Sequence, residues 1–206
     1  MALKLGEILI GIFKSKYIAV LFVSMFPLIE LKGAIPIGMS EAFGLNLFET
    51  AAVAYLGSTA ISVALFFLLI PIFNLLKKIK LIKRLVEKIE SMFKAKAEKV
   101  AASASGSAEK EARLIKMRSL FIFVAVPFPI TGVWTGTAIA VFLGMKFKES
   151  VLPIALGNLV AGSIITLLTY FFKDYVDYII YALLALAAVM LAIFIVKIAI
   201  SKPKEN

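Results

Sequence analysis

Glu30 and Lys32 stand two residues apart within F-P-L-I-E-L-K-G-A-I-P-I-G at 26–38, a stretch otherwise apolar enough for a bilayer interior. An isolated charge near the bilayer centre costs roughly 3 kcal/mol or more, so ionisable residues at that depth pair with each other or mark ion, proton and substrate paths. Glu30 is therefore the candidate carrier of a coupling proton or ion. Lys32, Gly33 and Pro36 complete a candidate substrate-binding segment with it. A second stretch, P-F-P-I-T-G-V-W-T-G-T at 127–137, breaks apolar sequence with Pro129, Gly132 and three hydroxyls. Thr131, Thr135 and Thr137 offer those hydroxyls to a headgroup, and Trp134 offers an indole to a lipid or apolar body. Arg118, upstream, is placed to attract phosphate. Each has a plainer alternative: Glu30 and Lys32 as a structural pair, the hydroxyls as caps of broken helices, and Arg118 as an anchor at the membrane face.

The residue inventory narrows the chemistry further. With no cysteine and no histidine among 206 residues, disulfides, thiolate metal sites, imidazole relays and Cys- or Ser-His nucleophiles are excluded. No nucleophile motif or acidic metal cluster stands in their place, so no catalytic residue, metal or cofactor is expected. Proton or ion handling is left to Glu, Asp, Lys and Arg.

Composition sets the solvent. The chain is 62% hydrophobic and 17% charged, with a mean hydropathy of +0.99, whereas a soluble domain stays near half apolar. An integral membrane protein follows. Residues 1–13 carry Lys4 and a short apolar run with no small-residue cleavage site, so no removable signal is expected there. The net charge of +10 is concentrated at 77–118, with thirteen basic residues against five acidic ones. By the positive-inside rule this segment is expected in the cytoplasm of a multi-pass plasma-membrane protein. Apolar residues at helical spacing (Ile79, Ile82, Val86, Ile89, Phe93) predict an amphipathic helix over 72–95, lying on anionic headgroups. The small residues of 101–108 predict a flexible joint. Nucleic acid is not expected as a partner.

Length then separates spanning helices from shorter ones. About 20 apolar residues cross a hydrocarbon core of roughly 30 Å. The stretches 50–73, 150–172 and 178–200 qualify, while 17–29 and 119–128 reach only about mid-bilayer by the same rise. Two readings of the short stretches stay open. Each runs inward, breaks at its Pro and Gly residues and returns as a half-helix (35–43 and 135–143), or each continues as one kinked helix that crosses. Loop charges do not separate them, but Pro127 and Pro129 with Gly132 and Gly136 favour the hairpins. The hairpins place the N-terminus outside and the C-terminus in the cytoplasm, and crossing helices reverse both.

The chain is also duplicated. G-L-N-L-F-E-T at 44–50 followed by Gly57-Ser58 has its counterpart in G-M-K-F-K-E-S at 144–150 followed by Gly157-Asn158, an offset of 100 residues. Glu49 and Glu149 start equivalent helices as caps or dipole partners, and Gly57, Gly157 and Gly162 allow close helix packing. A hairpin plus one span crosses an odd number of times, so the halves insert with opposite orientation, as in secondary transporters with inverted repeats. The fold expected is an all-α integral membrane protein forming one membrane domain over 1–206. It contains a first repeat at 17–73, a basic amphipathic helix and flexible linker at 74–118, a second repeat at 119–172 and an extra transmembrane helix at 178–200.

The segments E-L-K-G-A-I-P-I-G at 30–38 and P-F-P-I-T-G-V-W-T-G at 127–136 together resemble the small multidrug export protein family. Over most of the chain, roughly 17–172, the likeness holds. That family is distantly similar to the DedA or VTT membrane proteins, a resemblance that implies re-entrant hairpins in inverted repeats and movement of lipids such as polyprenyl phosphates. The function expected is a non-enzymatic, proton- or ion-coupled transporter of an amphiphilic or anionic substrate, working by alternating access between two re-entrant hairpins. Membrane lipids, protons or sodium are its expected partners, with a homodimer open because a small chain encloses little cavity. The alternatives are a membrane-shaping or assembly protein and an intramembrane lipid enzyme.

Overall fold

The computed structural model describes residues 2–79, 83–106, 108–128 and 131–176, with scattered positions between 178 and 196. The expected span at 178–200 therefore lies largely outside the described residues, as do Pro129 and Ile130. Every regular element among the described residues is helical: α1 (Ala2–Phe13), α2 (Lys16–Met25), α3 (Glu30–Met39), α4 (Leu47–Leu76), α5 (Lys83–Ser103), α6 (Glu109–Ala125), α7 (Val133–Phe142) and α8 (Phe147–Phe171). Two of them, α4 and α8, are long and apolar enough to cross a membrane. Their outward faces carry exposed Leu56, Phe67, Leu68, Leu152, Leu156 and Leu167, a surface suited to lipid rather than water.

Helices α2 and α3 have 10 residues each, about 15 Å of rise. Ser15 caps the first, accepting the backbone N–H of Ile18 at 3.5 Å. The chain leaves it at Phe26-Pro27 and turns through Leu28 (φ +72°) and Glu30 (φ +49°), left-handed values uncommon for side-chain-bearing residues. It then doubles back, for Gly38 of α3 packs on Val20 of α2, and Gly44 lies beside the Lys16 ammonium at the start of α2. The second half repeats the pattern. Gly136 of α7 faces Val124 of α6, and Arg113 near the start of α6 bonds Glu149 near the start of α8 at 3.1 Å. Helix α6 starts ten residues before the expected 119 because its first turns are charged and solvated (Glu109, Glu111, Arg113, Lys116); the buried Leu120 and Val124 belong to its final part.

The two long helices hold the halves together and run antiparallel: Ser58 meets Asn158 while Phe67, further along α4, stacks on Phe147 at the start of α8. Hydrogen bonds at the 100-residue offset cross this seam, from the Tyr55 hydroxyl to the Ala155 carbonyl (3.4 Å) and from Ser58 Oγ to Asn158 Oδ1 (3.4 Å). The Asn158 amide also donates to Thr59 Oγ1 at 3.2 Å. Gly57 and Gly157 explain how close each half packs internally. A Cβ on Gly57 would run into the Leu21 carbonyl, and one on Gly157 would stand 2.7 Å from the Phe121 carbonyl, again 100 residues on.

Helix α5 departs from expectation in what its apolar face touches. Instead of resting only on headgroups, Val86 and Ala97 are buried against the protein, and Phe93 stacks between Phe73 of α4 (6.4 Å) and Phe142 of α7 (6.3 Å). Periodicity reveals an apolar face but not its partner. The expected flexible joint is also shorter, since helix continues to Ser103 and a turn precedes Glu109.

Glu90 on α5 pairs with Lys77 at the end of α4 and with Lys94 at 2.9 Å. Burial pushes the Glu90 carboxyl up, but the ammoniums of Lys77 and Lys94 together outweigh it and hold it below the usual carboxylate range. A depressed folded-state pKa stabilises docking above the free carboxyl value and loses that contribution as pH falls through the depressed value. Spin labels on Ser91 and Lys148 are thus expected to give a narrow distance distribution at neutral pH that broadens only once the pH falls below the usual carboxylate range. In Glu90→Gln that acid-dependent broadening disappears.

Candidate functional site

The ends of the two short helices α3 and α7 meet, and the ionisable pair sits where they do. Glu30 and Lys32 are 6% and 5% exposed, among the few buried charged residues, and the whole of α3 through Gly38 is enclosed by α2, α4 and α8. Glu30 Oε2 lies 3.6 Å from Lys32 Nζ. Both groups reach across to the other half. Glu30 Oε1 accepts the backbone N–H of Trp134 at 3.2 Å, and Lys32 Nζ donates to the carbonyls of Phe128 (2.8 Å) and Thr131 (3.2 Å).

The geometry is that of helix capping in trans. Helix α7 begins at Val133 after Gly132, which brings no side-chain cap. Its first N–H groups need acceptors and its positive end favours an anion, and the carboxylate of Glu30 meets both needs. Lys32 plays the opposite role toward the carbonyls of Phe128 and Thr131, on the connection between α6 and α7. Pro36 has no N–H, so the Lys32 carbonyl lacks its ordinary intrahelical donor and leaves an acceptor beside the pair. The left-handed backbone at Leu28 and Glu30 is the kind of local strain that a surrounding site must hold in place.

Gly132 makes the contact sterically admissible, because a Cβ there would overlap the Glu30 carboxylate. Thr131 turns its hydroxyl back to the carbonyls of Val126 (2.7 Å) and Phe128 (2.8 Å), closing the loop. The Trp134 indole N–H donates to the Met25 carbonyl at 2.9 Å, a second strap between the halves. Thus Glu30, Lys32, Thr131, Gly132 and Trp134 converge as one cluster. Gly33 packs on Ile29 and Pro36 is buried in the same helix. Thr137 is turned away, pairing with Ser62 of α4 at 2.8 Å, and Thr135 is buried in α7 without entering the cluster's hydrogen bonds. Arg118 is exposed on α6, about 12 Å of helical rise before Val126, and is not gathered in.

The sequence reading missed the Trp134 backbone amide, the carbonyls of Met25, Phe128 and Thr131, and the Ser62–Thr137 hydroxyl pair. Backbone groups carry no residue signature. The polar seam of Ser58 and Asn158 did carry one, since both follow the equivalent glycines. The repeat is asymmetric where it matters: the positions 100 residues after Glu30 and Lys32 are Ile130 and Gly132. One half supplies charge and the other supplies backbone. Among the described residues no group of three or more acidic side chains is placed to hold a metal ion.

These features define a helical membrane protein with two apolar, membrane-length helices and, among the described residues, one buried ion pair. Residues 30–164 match the family described as "Putative small multi-drug export protein", and the chain belongs to that family. The match begins at Glu30 and takes in the segments 30–38 and 127–136. No curated protein and no solved structure matched the chain.

Proposed function

We propose that the chain is a membrane exporter whose two halves form an inverted repeat, each a re-entrant hairpin (α2–α3 and α6–α7) followed by a spanning helix (α4 and α8). The antiparallel course of α4 and α8 supports opposite insertion. The return of each hairpin to its starting end supports re-entry over crossing. In this reading the basic segment 77–118 faces the cytoplasm of a plasma-membrane protein, and the N-terminus lies outside.

The observation that carries the function is the buried Glu30–Lys32 pair bridging the two hairpin tips. Alternating access requires that the tips separate, and among the described residues the hydrogen bonds between them run through the pair or through Trp134. Protonation of Glu30 removes its charge, weakens its hold on both Lys32 and the α7 end, and exposes cationic Lys32 and open backbone donors to an anionic or amphiphilic substrate. A proton or a sodium ion at Glu30 thereby couples to opening. The substrate class, in this reading, is an amphiphile with an anionic head, of which a polyprenyl-phosphate-type lipid is one. Membrane lipids and a second copy of the chain are the partners it entails.

The test is flux in proteoliposomes, using a fluorescent amphiphile and, separately, a short-chain polyprenyl phosphate, under an imposed proton or sodium gradient. Wild type is expected to move one of them in a gradient-dependent way, and Glu30→Gln to lose at least nine-tenths of that flux while remaining folded. Undiminished flux in the variant removes Glu30 from the mechanism. Because the chain has no cysteine, single introduced cysteines report sidedness cleanly. Labels at 16 and 44, the two ends of the first hairpin, reacting from opposite faces would refute its re-entry.

A further inference from the structure

We propose a second, separate site: a phosphate-binding cavity at the mouth of the second hairpin, filled by the headgroup of an anionic lipid. A cavity of about 460 Å³ opens between the start of α6 and the start of α8. Four cations line it, Lys110, Arg113, Lys116 and Lys146, against two carboxylates, Glu109 and Glu149. Glu149 is already engaged by Arg113 at 3.1 Å, so the cationic excess faces the cavity. Leu143 and Met145 give it an apolar side, which suits the glycerol and upper acyl carbons below a phosphate better than water.

Comparison of the two repeats shows what is special about this mouth. In the first half, Asn46 caps α4 by accepting the Glu49 N–H at 2.9 Å, and Glu49 returns a bond to the Asn46 N–H. At the equivalent place in the second half stands Lys146, which has no acceptor atom, and α8 begins with no side-chain cap. Glu149, the counterpart of Glu49, has turned to Arg113 instead. Helix α6 opens on the same cavity and also starts without a side-chain cap, at Ala108. A phosphate in the cavity supplies the acceptor that Lys146 cannot and neutralises the clustered cations. The charge and cavity stand independently of Glu30; only the lipid source of the phosphate rests on the proposed membrane orientation.

The experiment uses the purified full chain and measures binding by thermal shift and native mass spectrometry. The probes are phosphatidylglycerol, phosphatidylcholine and inorganic phosphate. Phosphatidylglycerol is expected to bind saturably and at least tenfold more tightly than phosphatidylcholine. Lys146→Asn, which restores the cap residue of the first repeat and so preserves the fold, is expected to weaken that binding at least tenfold, as is Arg113→Gln. Lys99→Asn, an equal loss of charge at an exposed position of α5, is expected to leave it unchanged. Equal binding of the two lipids, or equal weakening by Lys99→Asn, overturns the site in favour of diffuse attraction. Saturable inorganic phosphate binding that lipid does not displace, yet that Lys146→Asn abolishes, keeps the phosphate site and assigns it a soluble ligand.

Discussion

One methyl group added at Gly132 is expected to unseat the Glu30 carboxylate and disable the protein. No space exists for that Cβ, because the carboxylate occupies it. Accommodating Ala means moving Glu30 away from the Trp134 N–H and from Lys32, which leaves buried charge without its partners. Breaking a buried pair in this manner costs about 3–5 kcal/mol in proteins generally, and overpacking adds about 1–3 kcal/mol. Reversible unfolding in mixed micelles is the measurement. The attribution is checked in a Glu30→Ala background, where the space is vacated and the Gly132→Ala penalty is expected to shrink by more than half. An equal penalty in both backgrounds would mean that Gly132 matters for backbone freedom alone.

Replacing Lys32 with Met is the second change of large expected effect. It leaves the Glu30 carboxylate buried with only the Trp134 N–H, and it frees the Phe128 and Thr131 carbonyls. A loss of about 3–5 kcal/mol is expected. The double variant Glu30→Gln/Lys32→Met removes both charges and is expected to recover most of that stability, since neutral isosteres of a buried pair are often no worse than the pair itself. Its transport separates the two roles of the pair. A stable double variant with no flux means that the charges serve the transport cycle; a stable double variant with full flux reduces them to structural caps.

Much of this site was legible in the residues. Two charges within apolar sequence have few fates in a membrane, so Glu30 and Lys32 stood out, and the second return helix starts at Val133, close to the expected 135; the first starts at Glu30 rather than 35, with Gly33 and Pro36 inside it and the break at 26–29. The 100-residue offset was equally plain, and the Ser58–Asn158 seam obeys it. Spacing did not convey what each charge would face. The acceptor for Lys32 and the donor for Glu30 are main-chain groups of another segment, visible only once the tips are brought together. Arg118 illustrates the converse error: chemically apt and close in sequence to the second break, it points out of α6. For α5, the amphipathic pattern was right and its partner was not, because Phe93 can meet lipid or Phe142 with the same periodicity.

The asymmetry at positions 30, 32, 130 and 132 bears on stoichiometry. Although the scaffold is doubled, only the first copy places ionisable groups at these positions, so the exchange of charge proposed above would have a single centre per polypeptide rather than two. A polypeptide spliced from two leading halves would crowd four opposing charges at its midpoint, and one spliced from two trailing halves would have none. Neither half is interchangeable with its sibling, and under the mechanism proposed above each chain is expected to move one coupling ion per cycle.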